Sequence, residues 1–374
     1  MAKYQNVGTP RFYVDYFQYA LTTGIITSDD IIVQSLEENQ PKDKILNLFY
    51  LNPAKTNLID VDYFTQVDLD YHDLGIVVDT KFKNTDDVFD YIGILNHNLA
   101  QVNPFAGSQE GEYTEENFGF TFNQGGSNYF PLSQNQKGIN KNAFLNGFTF
   151  IDLKSNLPQI NIQYPDKAYF NILKKLTKDL KLGCLTGGNY YDMPHSPDLD
   201  LTLTREYGGS SKQFTKGGNL LTNYNYTQQP TWGEAEAWGT WSSLNLQSPQ
   251  KRRAGRRRWD LKFSYIASSD LMAEIETLDS LALDGITENP YDYKQFASNT
   301  DSVLDQNYYD NDKSFFTQFM QKTLGGSLRF IFQPDNLDFT PDGFAICVLD
   351  QDSISFKQVA HNTYNVSLKI LEVW

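Results

Sequence analysis

Six of the eight residues from Lys251 to Arg258 are basic, in a chain whose formal net charge is -15. The run is Lys251-Arg252-Arg253-Ala254-Gly255-Arg256-Arg257-Arg258. Guanidinium groups at this density bind anions, and the candidate anions are phosphate and carboxylate. The acidity of the whole chain, with a pI near 4.7, works against a polyanionic nucleic acid. Planar bidentate pairing with carboxylates at a protein contact fits arginine well. Arg252, Arg253, Arg256, Arg257 and Arg258 are therefore candidate interface residues, and a solvated loop is the plain alternative. Four of the five tryptophans, Trp232, Trp238, Trp241 and Trp259, fall within residues 232–259. Trp and Arg together mark protein interfaces, so Trp232, Trp238 and Trp241 join the candidates. Core packing or a sugar platform would use the same residues.

Other chemistry has little to stand on. The four histidines, His72, His97, His195 and His361, show no HxH or HExxH spacing, so no metal site is expected. No GxSxG, P-loop or strand-following GxGxxG occurs. Carboxylates are many, but nothing singles out a catalytic pair. No enzyme and no cofactor are expected. Asn96-His97-Asn98 is a candidate ligand loop for a sugar, with turn chemistry as the competing reading. Tyr190-Tyr191-Asp192-Met193-Pro194-His195-Ser196-Pro197 reads as an ordered extended link, because two prolines fix φ and remove donors. Its expected place is a subunit or domain contact. The cysteines Cys184 and Cys347 have no metal or disulfide spacing. Cys347, inside the apolar run Phe344–Leu349, reads as a buried thiol.

These residues need elements to hold them. Trp259, Leu261, Phe263 and Tyr265 alternate with polar residues, which is the period of a half-buried strand. The basic run thus leads into a strand. Aromatics are 14% of the chain, with 26 Phe and 23 Tyr, a composition rich in strand formers. Short strand-like segments recur at Ile45–Tyr50, Leu74–Val78, Val88–Leu95, Phe118–Phe122, Phe148–Ile151 and Gln159–Ile162. In the second half, alternation marks residues 198–204, Leu328–Phe332, Ile354–Phe356 and Tyr364–Ile370. Helical spacing appears at Ser269–Ala282 and at Asp312–Leu324, the latter stopping at Gly325-Gly326. The pattern predicts a mainly-β chain of sandwich type with two or more short helices. A boundary is expected within 170–200. No signal peptide and no apolar run of ~18 residues for a membrane helix are seen, so synthesis and folding in a cytoplasm are expected.

Five segments carry a resemblance. They are Val7–Asp15, Phe89–Leu99, Tyr190–Leu199, Arg258–Ile266 and Phe356–Trp374, and they resemble virion proteins of tailed bacteriophages from aquatic environments. The resemblance covers much of residues 85–374 as short islands, none of them a catalytic fingerprint. It implies a β-rich region over 1–180 that includes a galactose-binding-like jelly-roll module at about 45–165. It implies a ring-forming β-domain over 181–374, like that of distal tail and minor tail proteins. It further implies a structural virion subunit joining the tail tube to the tip or adsorption apparatus. Its partners would be copies of itself in a ring and other tail proteins of tube, hub or fibre type. A host surface glycan would be the partner if the chain instead served adsorption. Under this reading, changing Arg256, Arg257 and Arg258 to Glu should break assembly and leave the subunit folded.

Overall fold

The computed structural model describes residues 7–34, 45–55, 57–59, 65–66, 71–81, 89–98, 117–124, 127–129, 143–145, 148–156, 167–175, 180–206, 210–224, 231–232, 235–236, 255–272, 313–338 and 343–373. The chain is mainly β, in antiparallel sheets with a few short helices. Among the described residues its strands sort by pairing into two sheets of a sandwich, one larger sheet packed beside it and two separate two-stranded hairpins.

The sandwich follows a nested order. Eight strands appear in sequence as Asn57–Ile59, Tyr71–Asp79, Tyr91–His97, Asn117–Gln124, Ser127–Tyr129, Phe148–Asp152, Lys167–Lys175 and Leu180–Gly188. The first pairs with the eighth, the second with the seventh, the third with the sixth and the fourth with the fifth. A rolled-up hairpin gives this order, and it is the jelly roll. The third strand also pairs with the eighth and the fourth with the seventh, which fixes two sheets. Ile31–Gln34 and Thr65–Gln66 extend one sheet, and Ala143–Leu145 extends the other. Between the sheets lies an apolar core that includes Ile76, Val78, Phe120, Phe170, Ile92, Ile94 and Ile151. The jelly roll therefore runs to residue 188. The expected module limit near 165 leaves out its last two strands, and the region limit at 180 leaves out the last one.

The larger sheet has the order Tyr190–Asp192, Arg11–Val14, Phe330–Gln333, Ala345–Leu349, Thr363–Glu372, Arg256–Ala267 and Thr202–Glu206. Phe356–Ala360 pairs with the free side of Thr363–Glu372. The first strand of this sheet comes from the start of the chain, so the sheets do not divide at residue 180. Arg11–Val14 and Tyr190–Asp192 are antiparallel neighbours, and the helix Tyr16–Thr23 and the jelly roll lie between them in sequence. The jelly roll is an insertion into a hairpin of the larger sheet. Val14 N–H donates to the Asn189 carbonyl at 2.9 Å, so the two tethers run side by side. A Cβ on Gly188 would collide with the Val14 carbonyl oxygen, and this close approach requires glycine.

Arg11–Val14 is buried along its whole length because each face meets a core. Phe12 points to one side, with Phe319 at 4.7 Å and Phe332 at 5.2 Å between ring centroids. The helical turn Phe316–Gln321 covers that side. The helix expected over Asp312–Leu324 is shorter: it ends at Gln321, and turn residues follow, among them Gly325 and Gly326 with φ of 73° and 82°. Tyr13 points to the other side, toward the jelly roll, with Tyr91 at 4.9 Å and Phe150 at 5.0 Å. Its hydroxyl donates to Gln333 Oε1 at 2.7 Å. Leu95, Cys184, Ile331 and Ile346 complete this junction core.

Several expected elements differ. Ile45–Tyr50 contains a 3₁₀ turn, Asn47–Phe49, not a strand. Arg256–Ala267 alternates as expected, but a bulge between Phe263 and Ile266 turns Tyr265 outward, with φ 63° and 75% exposure. Ile266 fills the inward position. Of the expected helix over 269–282, Ser268–Leu271 is helical and residues 273–282 lie outside the described residues, as does the segment Gln159–Ile162.

Candidate functional site

The alternation of Arg256–Ala267 decides where each arginine points. Arg257 shares the inward side with Trp259, which is fully buried. There it meets Glu372 on the neighbouring strand. Arg257 N–H and Nε donate to Glu372 Oε2 at 2.9 and 3.1 Å, and NH2 donates to Oε1 at 2.9 Å. NH2 also donates to the Phe344 carbonyl at 2.7 Å, and the guanidinium lies 5.2 Å from the Trp259 ring centroid. Arg257 is not a surface charge. It holds the end of the sheet together, and removing one partner of such a pair costs about 3–5 kcal/mol. Reversal at Arg257 therefore attacks folding, which corrects the expectation that the triple Glu variant stays folded.

Arg258 points to the opposite, polar side. It pairs with Glu206 at 3.2 Å and Asp350 at 2.5 Å, both groups partly exposed. Such pairs contribute little each, but they occupy the guanidinium within its own chain. Arg256 is half-buried, and its charge adds to burial in lowering the pKa of Arg329. Trp232 lies in a two-residue strand paired with Ala235–Glu236. Its side chain, and Trp238, Trp241, Arg252 and Arg253 altogether, lie outside the described residues.

The proposed sugar loop is not a loop. Asn96 and His97 end a strand of the jelly roll and are 4% and 1% exposed. Asn96 Nδ2 donates to the Pro53 carbonyl at 2.6 Å, which the positive φ of 57° at Asn96 permits. His97 Nε2 sits 3.1 Å from Thr149 Oγ1, and Asn98 Oδ1 accepts from Lys181 N–H at 2.9 Å. All three side chains serve the sheet. His195 donates from Nδ1 to the Ser196 carbonyl at 2.7 Å. The link 193–201 joins the two edge strands of one sheet, held by Met193 N–H to Pro10 O and Asp198 N–H to Lys262 O. Of the expected contact segment Tyr190–Pro197, Tyr190 and Asp192 do lie at the junction with the jelly roll, whereas Met193–Pro197 belong to this link. Cys184 and Cys347 are buried thiols.

The cluster that spacing did not show lies at the junction. Arg11 donates from Nε and NH2 to both oxygens of Asp192, at 2.6 and 2.8 Å, and from NH1 to Asp152 of the jelly roll at 3.4 Å. Its guanidinium stacks 3.8 Å from the Tyr190 ring centroid, and Lys154 approaches the same ring at 4.9 Å. Lys154 also pairs with Asp90, which accepts from Tyr190 N–H. Burial works against the Arg11 charge, but the Asp192 hydrogen bond and nearby carboxylate outweigh it, and its pKa is raised. Burial pushes the Asp90 carboxyl up. Asp15, the N-cap of helix Tyr16–Thr23, is pushed up to about 8 by burial, against the backbone N–H groups it accepts from. Arg11 meets its partners 141 and 181 residues away, so no local motif announces them.

These contacts tie the jelly roll to the larger sheet, and the charges of the cluster pair with one another. Among the described residues no group of three His, Cys, Asp or Glu could hold a metal ion. No helix among them is long and apolar enough to cross a membrane. No protein-family model, curated protein or solved structure matches the chain.

Proposed function

We propose that the chain is a structural subunit of a tailed-bacteriophage virion, a distal-tail or tail-tip ring component joining the tail tube to the adsorption apparatus. One observation carries this reading. A jelly roll is inserted into an edge hairpin of a larger sheet and locked there by an apolar core and by the buried Arg11, which pairs with Asp152 and the part-exposed Asp192. Domains of one chain usually move against each other unless the contact is large and apolar. Here two parallel tethers and a shared core remove that freedom. A subunit that must present one module at a fixed place on an assembly needs this property. In this reading the larger sheet builds the ring and the jelly roll projects from it. No catalytic step and no cofactor are assigned, and the place of action is the virion. The glycan-binding alternative is weakened by the burial of Asn96 and His97.

Purified chain should form closed rings in electron micrographs, and mass spectrometry of virions encoding it should find it at a small fixed copy number. A chain that never forms rings and is absent from virions overturns the reading.

A further inference from the structure

The excursion between Thr202–Glu206 and Arg256–Ala267 contains a second hairpin, Ser210–Phe214 paired with Leu220–Tyr224. Its turn is closed by Thr215 N–H to the Asn219 carbonyl at 2.9 Å and by Asn219 N–H to Thr215 Oγ1 at 3.0 Å. Phe214, Leu220 and Leu221 are 76%, 49% and 58% exposed. Phe214 and Leu220 are cross-strand partners on one face and Leu221 lies on the other. An isolated two-stranded hairpin is marginal in water, and exposed apolar side chains on it mark a contact surface. Residues 207–233 carry Lys212 and Lys216 and no Asp or Glu, whereas the chain as a whole is at -15. The hairpin is thus a cationic, apolar-tipped projection from an acidic body.

Its complement lies on the same chain. Leu199 is 100% exposed between Asp198 and Asp200. The Asp200 side chain, 86% exposed, pairs with Lys262 at 2.9 Å, and Asp198 accepts from the Ser264 hydroxyl at 2.7 Å, so the patch keeps a net negative charge. Apolar surface flanked by carboxylates faces outward there. The hairpin extends from one end of the edge strand Thr202–Glu206 and Asp198–Asp200 precedes the other, roughly 17 Å apart at about 3.3 Å per residue. Two complementary patches at different places make a head-to-tail contact, which closes into a ring or runs on as a filament.

We propose that Ser210–Tyr224 is an arm that docks on the Asp198-Leu199-Asp200 surface of a second copy of this chain. The proposal rests on the ring-subunit reading and names the contact. Sedimentation velocity of the full chain over a concentration series, at low and high salt, tests it. The wild type should self-associate, less at high salt. Phe214→Ser with Leu221→Ser should weaken association about thirtyfold or more, with an unchanged circular dichroism spectrum. Lys212→Glu with Lys216→Glu, and separately Asp198→Lys with Asp200→Lys, should each fail to associate alone. Mixed, the two charge variants should associate, because each arm then meets an opposite charge. Arm variants that associate like the wild type overturn the proposal. So does a mixture that does not recover, which would exclude this acceptor surface. A wild-type chain that stays monomeric also overturns docking between copies, while its presence in virions would still leave the subunit reading standing.

Discussion

The larger sheet sends out two excursions, one from each edge, and treats them in opposite ways. The jelly roll leaves between Arg11–Val14 and Tyr190–Asp192 and packs back on the sheet through Tyr13, Tyr91, Phe150 and Ile331. The Ser210–Tyr224 hairpin leaves beyond Thr202–Glu206 and keeps its apolar side chains in water. The chemistry of the connecting strands accounts for the difference. Tyr190 and Asp192 offer a ring and a carboxylate to Arg11, which fixes the first excursion at its root. Near the second, the polar side of the edge strand offers Glu206 to Arg258 of the body, and nothing of that kind reaches the hairpin among the described residues. The same sheet thus carries one excursion locked at its root and one hairpin whose Phe214, Leu220 and Leu221 stay exposed.

The sharpest way to break this contrast is Arg11→Ala. It should destabilise the chain by about 3–5 kcal/mol, because Asp152 and Asp192 lose their buried partner. Urea unfolding should become biphasic as the jelly roll and larger sheet uncouple. A single transition at the wild-type midpoint would mean that the junction charges carry nothing. Next comes pH. The Asp15 carboxyl is raised to about 8 in the fold, above its ordinary value of 3.8. The folded state then binds the extra proton between these values, so stability is full below about 4 and falls as pH rises toward 8. The slope approaches about 1.4 kcal/mol per pH unit. Asp15→Asn keeps the N-cap and should flatten that fall in thermal melts between about pH 4 and 8. An unchanged slope would sink the assignment. The smallest effect belongs to the arm. Phe214→Ser with Leu221→Ser should leave unfolding within about 0.5 kcal/mol of wild type; a larger loss would show that the arm packs on its own body.

Where a strand alternates, the sequence shows it: Trp259, Leu261 and Phe263 point inward as their spacing requires. Tyr265 escapes the pattern because a bulge adds a residue, and composition does not mark bulges. Ile45–Tyr50 misleads because a short apolar run has no period; Leu48 and Phe49 are buried from a 3₁₀ turn as well as from a strand. Asn96 and His97 look like turn residues until Pro53 in a distant turn and Thr149 in a neighbouring strand supply partners. The basic run shows its charge but not its direction. One register position separates buried Arg257 from half-exposed Arg258. The Arg11 cluster is invisible for the same reason as the true end of the jelly roll: both depend on pairings across more than a hundred residues.

The double tether has a mechanical consequence. Both ends of the jelly roll leave the larger sheet at the same end of two adjacent strands. A pull on the jelly roll along those strands loads the ladder between Arg11–Val14 and Phe330–Gln333 in shear. Its hydrogen bonds then share the force and must give way together, and a torque cannot turn the module about a single bond. Force received by the jelly roll passes into the sheet as a rigid lever passes it, with little slack for the chain to take up.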